Sequence, residues 1–121
     1  MARIAVIDDA KIMRTILATT LERAGHEVIQ LEPLSASEVG EVLQAHAPDL
    51  LVTDFHMPGA NGATLVRMAR KALPDLPVVV VTAFGDAETS ALLTKLGVSA
   101  ILRKPVHPEE VQAAVAKALG G

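Results

Sequence analysis

Five short apolar runs punctuate this chain, each with a polar residue at or just beyond its end: Ile4 to Ile7, Val28 to Leu31, Leu50 to Thr53, Val78 to Thr82 and Ala100 to Leu102. They are rich in Val and Ile, whose branched side chains suit a pleated strand, and each is too short for a buried helix. Between them the apolar period lengthens. Ile12, Met13, Ile16, Leu17, Leu21 and Ala24 are read as one face of a first helix that Gly25 can end. Ser35 and Glu38 have the spacing of a capping box ahead of a second helix carrying Val39, Val42 and Leu43. A third helix carries Leu65, Val66, Met68, Ala69 and Leu73, and a fourth Ala91, Leu92, Leu93 and Leu96. The fifth starts at Pro108, carries Val111, Val115 and Leu119, and stops at Gly120.

Strand and helix alternate from end to end. Parallel neighbours need crossover connections, which are right-handed, so this alternation predicts an α/β fold: a parallel sheet with helices on both faces. With 121 residues and 50% hydrophobic content the chain can bury one core, and a single domain over residues 1–121 is expected, with no output domain in this chain.

Composition narrows the function. A net charge of -3 provides no basic field for a nucleic-acid backbone, and Arg67, Arg70 and Lys71 read as the solvated face of the third helix. No direct binding to nucleic acid is expected. The chain has no cysteine, which removes disulfides, thiolate metal sites and thiol nucleophiles and suits a reducing compartment. Its first residues lack the long apolar stretch of a signal peptide, and Val78 to Val81 is far shorter than a membrane span, so a cytoplasmic protein without membrane insertion is expected.

In such sheets ligands bind outside the carboxyl ends of the strands, where the strand order reverses. The residues there are Asp8 and Asp9 after the first run, Asp54 after the third, Thr82 at the end of the fourth, and Arg103, Lys104 and Pro105 after the fifth. Three carboxylates brought to one edge repel one another and call for a cation. Oxygen donors without thiol or required histidine favour Mg²⁺ over Zn²⁺. Lys104 offers a compact positive charge and Thr82 a hydroxyl to a phosphoryl oxygen, and a carboxylate can itself be the phosphoryl-accepting nucleophile. Asp54, after the strand expected to be central, is the candidate acceptor. Taken singly these residues have plainer readings: Asp8 and Asp9 as helix caps, Thr82 as a strand residue bonded to a backbone carbonyl, Lys104 as a balancing charge. Their joint placement outweighs those readings. His26, His46 and His107 are assigned to solvated turns and helix ends.

These motifs together resemble the response-regulator receiver family over the entire chain: the acidic pair in Val6-Ile7-Asp8-Asp9, the acceptor in Leu51-Val52-Thr53-Asp54 followed by Phe55-His56-Met57-Pro58-Gly59, the turn Val81-Thr82-Ala83, and Lys104-Pro105. The resemblance implies a flavodoxin-like, doubly wound sheet of five parallel strands in the order 2-1-3-4-5 with five helices. It implies Mg²⁺ bound by Asp9, Asp54 and the backbone carbonyl of His56, with Asp8 acting through water. It further implies that Asp54 is phosphorylated by a histidine kinase or phosphotransfer protein, that Thr82, Ala83 and Lys104 surround the phosphoryl group, and that the Lys104–Pro105 bond is cis. The change would be read by a downstream protein on the face of the fourth helix, fifth strand and fifth helix. Such a chain is a signalling switch of a two-component phosphorelay and not a turnover enzyme.

The sequence departs from the family at Ile101, where the usual switch residue is Tyr or Phe. His56 and Phe84 match positions that in the family flank the phosphoryl group and influence its lifetime, and Phe84 is the one bulky loop residue that could replace the missing aromatic gate. Ile101 keeps open a second reading, a receiver-like interaction module that is not phosphorylated in use. Two other functions fit less well. Aspartate-dependent phosphatases of the haloacid-dehalogenase type need two acids spaced by one residue after a single strand. The cobalamin-type DxHxxG spelled from Asp54 to Gly59 follows the wrong strand.

Overall fold

A computed structural model describes residues 2–32, 36–57, 60–83 and 87–120. Five strands, β1 (Arg3–Ile7), β2 (Glu27–Leu31), β3 (Leu50–Asp54), β4 (Val78–Thr82) and β5 (Ala100–Arg103), alternate with five helices, α1 (Lys11–Arg23), α2 (Ala36–His46), α3 (Gly62–Ala72), α4 (Ala87–Lys95) and α5 (Pro108–Ala118). The strands form one parallel sheet in the order β2-β1-β3-β4-β5. The fold is thus the doubly wound, flavodoxin-like one. Two-residue strands at His56–Met57 and Ala60–Asn61 pair antiparallel beyond β3. They escape a reading by apolar period because they are too short to have one.

The central strands are apolar on both sides, since a parallel sheet covered on both faces has no wet side. Alternate residues feed two cores. Ala5, Ile7, Leu51, Val78 and Val80 meet Val39, Leu43, Leu65, Val66, Ala69 and Leu93 under α2, α3 and α4. Ile4, Val6, Leu50, Val52, Val79 and Val81 meet Leu17, Leu21, Val111 and Val115 under α1 and α5. Burying each Val or Leu stabilises the fold by roughly 1.5–3 kcal/mol.

The first helix differs from expectation on one side. Leu17 and Leu21 are buried, but Ile12 is 77% and Ile16 47% exposed. The buried stripe is made by Arg14, Leu17, Ala18, Thr20 and Leu21, and positions 12 and 16 lie about 100° round from 13 and 17, past its edge, while Ala24 is exposed beyond the helix end. The helix ends at Arg23, and Gly25 turns the chain with φ of +93° toward β2. Ser35 of the expected capping box lies outside the described residues.

Arg70 is not simply part of a solvated face. It is half-buried, and its guanidinium donates to the carbonyl of Gly97 just past α4, tying α3 to the end of α4. His26 is also half-buried, and its Nδ1 accepts the N–H of Ala2, so it closes the turn before β2 instead of facing solvent alone.

Candidate functional site

The chain runs from β1 outward to β2 and returns on the other side of β1 as β3, so the sheet reverses direction between β1 and β3. At that reversal the carboxyl ends of two strands open into a crevice. Ile7 pairs with Thr53, which brings the next residues, Asp8 and Asp54, out together at the sheet edge. Thr82 ends β4 opposite Arg103, and the N–H of Lys104 donates to the carbonyl of Thr82 at 2.8 Å. The strand register alone therefore delivers two acids, a hydroxyl-bearing residue and an amine to one end of the sheet.

Side chains complete the grouping. Carboxylate oxygens of Asp8, Asp9 and Asp54 all lie within 4.8 Å of one another. Lys104 Nζ lies 3.2 Å from Asp54 Oδ2, to which it donates a hydrogen bond, and 3.5 Å from Asp8 Oδ2, where the contact is an ion pair only. Asp8 and Thr82 are completely buried, Asp54 is nearly so, and Asp9 is exposed. Two acids are therefore fixed in the wall while the third faces the solvent side of the site.

Burial pushes the Asp8 carboxyl above its ordinary value of 3.8. The N–H of Ala10, 2.9 Å from Asp8 Oδ1, and the charge of Lys104 work against that rise, whereas Asp54 and Asp9 add to it. The helix-cap reading of the acidic pair does not describe this turn, because Ala10 is the N-cap of α1 and no side chain caps it. Asp8 Oδ2 is buried without a hydrogen-bond donor. A single ammonium cannot neutralise three carboxylates, and Asp8 Oδ2, one of their oxygens, meets Lys104 only as an ion pair, so the set suits a hard, oxygen-seeking cation.

Several other positions named from the sequence are placed as follows. Ala83 is exposed directly after Thr82. Ile101 is half-buried and packs against the core under α2, α3 and α4. The Lys104–Pro105 peptide is cis. The backbone of His56 begins the short ribbon beyond β3. Phe84 lies outside the described residues. Thr53, one residue before Asp54, donates its hydroxyl to the Asp54 carbonyl at 3.0 Å and is itself buried.

One contributor was not legible beforehand. Arg14, on α1, is only 8% exposed, and its Nη1 donates to the backbone carbonyl of Asp8 at 2.6 Å. An arginine four residues into a helix carries no distinctive pattern in sequence.

Comparison with known proteins agrees with this geometry. The family model described as "Response regulator receiver domain" matches residues 4–116. The chain is 32% identical over 114 residues to the DNA-binding transcriptional regulator NtrC of Escherichia coli strain K12, covering 94% of this chain and 24% of that protein. It is 33% identical over 113 residues to the virulence transcriptional regulatory protein PhoP of Salmonella typhimurium, covering 93% of this chain and 50% of that protein. It thus spans about a quarter and a half of the lengths of these two relatives. The solved structure of a response regulator receiver domain protein from Clostridium thermocellum superposes with a TM-score of 0.86 at 30% identity, over 99% of this chain and 95% of that one. The chain belongs to the response regulator receiver domain family of two-component systems.

Proposed function

We propose that the chain is a phosphoryl-accepting switch in which Asp54 takes a phosphoryl group from a histidine kinase or phosphotransfer protein. The observation that carries this reading is the convergence of Asp8, Asp9 and Asp54 with the Lys104 ammonium at the sheet reversal. In the transfer, a carboxylate oxygen of Asp54 forms the bond to phosphorus. The phosphorus–nitrogen bond of the donor's phosphohistidine breaks, and the imidazole nitrogen keeps the electron pair. Lys104 then meets the negative charge of the arriving group, and Thr82, beside it on β4, offers a hydroxyl to a phosphoryl oxygen.

Asp9 and Asp54, with the His56 carbonyl and with Asp8 through water, are the groups that would hold Mg²⁺. When bound, Mg²⁺ supplies positive charge that offsets the carboxylates and the incoming phosphoryl oxygens. Lys104 is already within reach of both buried acids, so it can exchange one partner for a phosphoryl oxygen and draw the loop after β5 inward. Such a movement would alter the face of α4, β5 and α5, where a downstream protein would dock. Ile101 has no ring to rotate there, and Phe84 is the candidate to take over that part. A Phe84 environment unchanged on phosphorylation, followed by NMR, removes the latter assignment.

On this reading the chain is an acceptor and not a turnover enzyme, in keeping with its receiver family. DNA binding is a property of the relative NtrC. The net charge of -3 on this chain supports protein partners instead. The second reading, an interaction module that is not phosphorylated, rests on Ile101 alone. To separate the two, the protein is treated with acetyl phosphate and Mg²⁺ and then with hydroxylamine, which turns an acyl phosphate into a hydroxamate. A hydroxamate located at Asp54 by peptide mass supports the switch, and unmodified Asp54 supports the silent module.

A further inference from the structure

Arg14 sits where helix energetics alone would not put it. A cation in the first turns of a helix opposes the helix dipole, and removing a guanidinium from water is costly. Arg14 is nonetheless 8% exposed near the start of α1, with Lys11 also in the first turn and no acid there to offset them. What it gains is the turn that carries the acidic pair. Its Nη1 donates to the Asp8 carbonyl at 2.6 Å in a buried hydrogen bond, and its backbone N–H donates to the Ala10 carbonyl at 3.0 Å. Asp8 closes the same turn from the other side, through its Oδ1 and the N–H of Ala10 at 2.9 Å. The segment from Asp8 to Ala10 is therefore held at three points, two of them by one residue.

We propose that Arg14 is a positioning residue for the acidic site, fixing the β1–α1 turn so that the buried Asp8 and the exposed Asp9 face Asp54 together. The inference rests on the reading of that cluster as a Mg²⁺ site. The charge of the guanidinium adds to its effect. It holds the turn by a charge-assisted bond to a carbonyl, leaving the carboxylate oxygens of Asp8 and Asp9 to a cation. Loss of groups that orient metal ligands typically costs about 10–100-fold in metal affinity.

The test is Mg²⁺ affinity by calorimetry for the parent, Arg14→Met, Arg14→Lys and Leu43→Val. Leu43, on α2, is buried on the other face of the sheet, so its variant controls for lost stability without touching the turn. Arg14→Met keeps most of the side-chain bulk without a donor and is expected to weaken Mg²⁺ binding about tenfold. Arg14→Lys, which keeps charge and a donor, is expected to recover most of that loss, and Leu43→Val to match the parent. Affinity in Arg14→Met within twofold of the parent overturns the proposal and leaves Arg14 a structural residue. Should Arg14→Met not fold, the Arg14 Nε–H signal of the ¹⁵N-labelled parent carries the test. It is expected to shift on titration with Mg²⁺, and an unmoved signal overturns the proposal. Absence of Mg²⁺ binding by the parent itself overturns the metal reading of the cluster and this inference with it, whereas equal affinities overturn the inference alone.

Discussion

Asp8 concentrates the tension of the site in one residue. Its carboxylate is buried, one oxygen has no hydrogen-bond donor, and burial raises its pKa in the folded state. An acid with a raised folded-state pKa binds more protons folded than unfolded. Its contribution to stability is thus fullest below the ordinary value and is lost as pH rises through the raised one. In chelator, the melting temperature of the parent relative to Asp8→Asn is expected to fall as pH is raised from about 4 towards neutrality. A difference that is flat with pH, measured by calorimetry, contradicts the assignment. Asp9 shares the crowding from its exposed position. Asp9→Ala is expected to melt at a higher temperature than the parent in chelator and to lose the added stability that Mg²⁺ gives. At a hundredfold excess over Kd that gain amounts to about 2.7 kcal/mol in the parent. A lower melting temperature for Asp9→Ala in chelator counts against a crowded acidic site.

At the scale of elements, the strands announce themselves because both faces of a covered parallel sheet are apolar, giving unbroken runs such as Val78 to Val81. The same logic makes strand ends stand out, which is why Asp8, Asp54, Thr82 and Lys104 could be picked from the sequence. Helix faces were less legible. An apolar residue at the margin of the stripe looks the same in sequence as one at its centre, and only packing separates Ile16 from Leu17. Leu43→Ala is accordingly expected to cost about 2–5 kcal/mol. Ile12→Ala, on the exposed margin of α1, is expected to change stability by no more than about 0.5 kcal/mol. Denaturant melts of the two variants check the ordering, and a large loss for Ile12→Ala would mean that this side of α1 is covered. Arg14 and Arg70 were illegible for a related reason. Each acts through a backbone carbonyl brought near by the fold, and carbonyls carry no sequence signature.

At the scale of the whole molecule, the proposed switch would couple the acidic site to a surface that partners read. Phosphorylation would add negative charge and acceptor oxygens where Lys104 is already shared between two acids, and a few kcal/mol of new contacts suffice to change which arrangement is populated. Methyl resonances of Ile101 and Leu102 on β5 are expected to shift on treatment with acetyl phosphate, while those of Leu43 on α2 stay in place. Uniform shifts, or none, would separate the acceptor from the proposed output face. The most direct test of the central claim is the intact mass of the protein after incubation with Mg²⁺ and acetyl phosphate, beside Asp54→Ala and a chelated sample. A gain of one phosphoryl group in the parent, lost in both controls, is the expected result, and a parent that gains nothing, or an Asp54→Ala variant that gains the same mass, would contradict it.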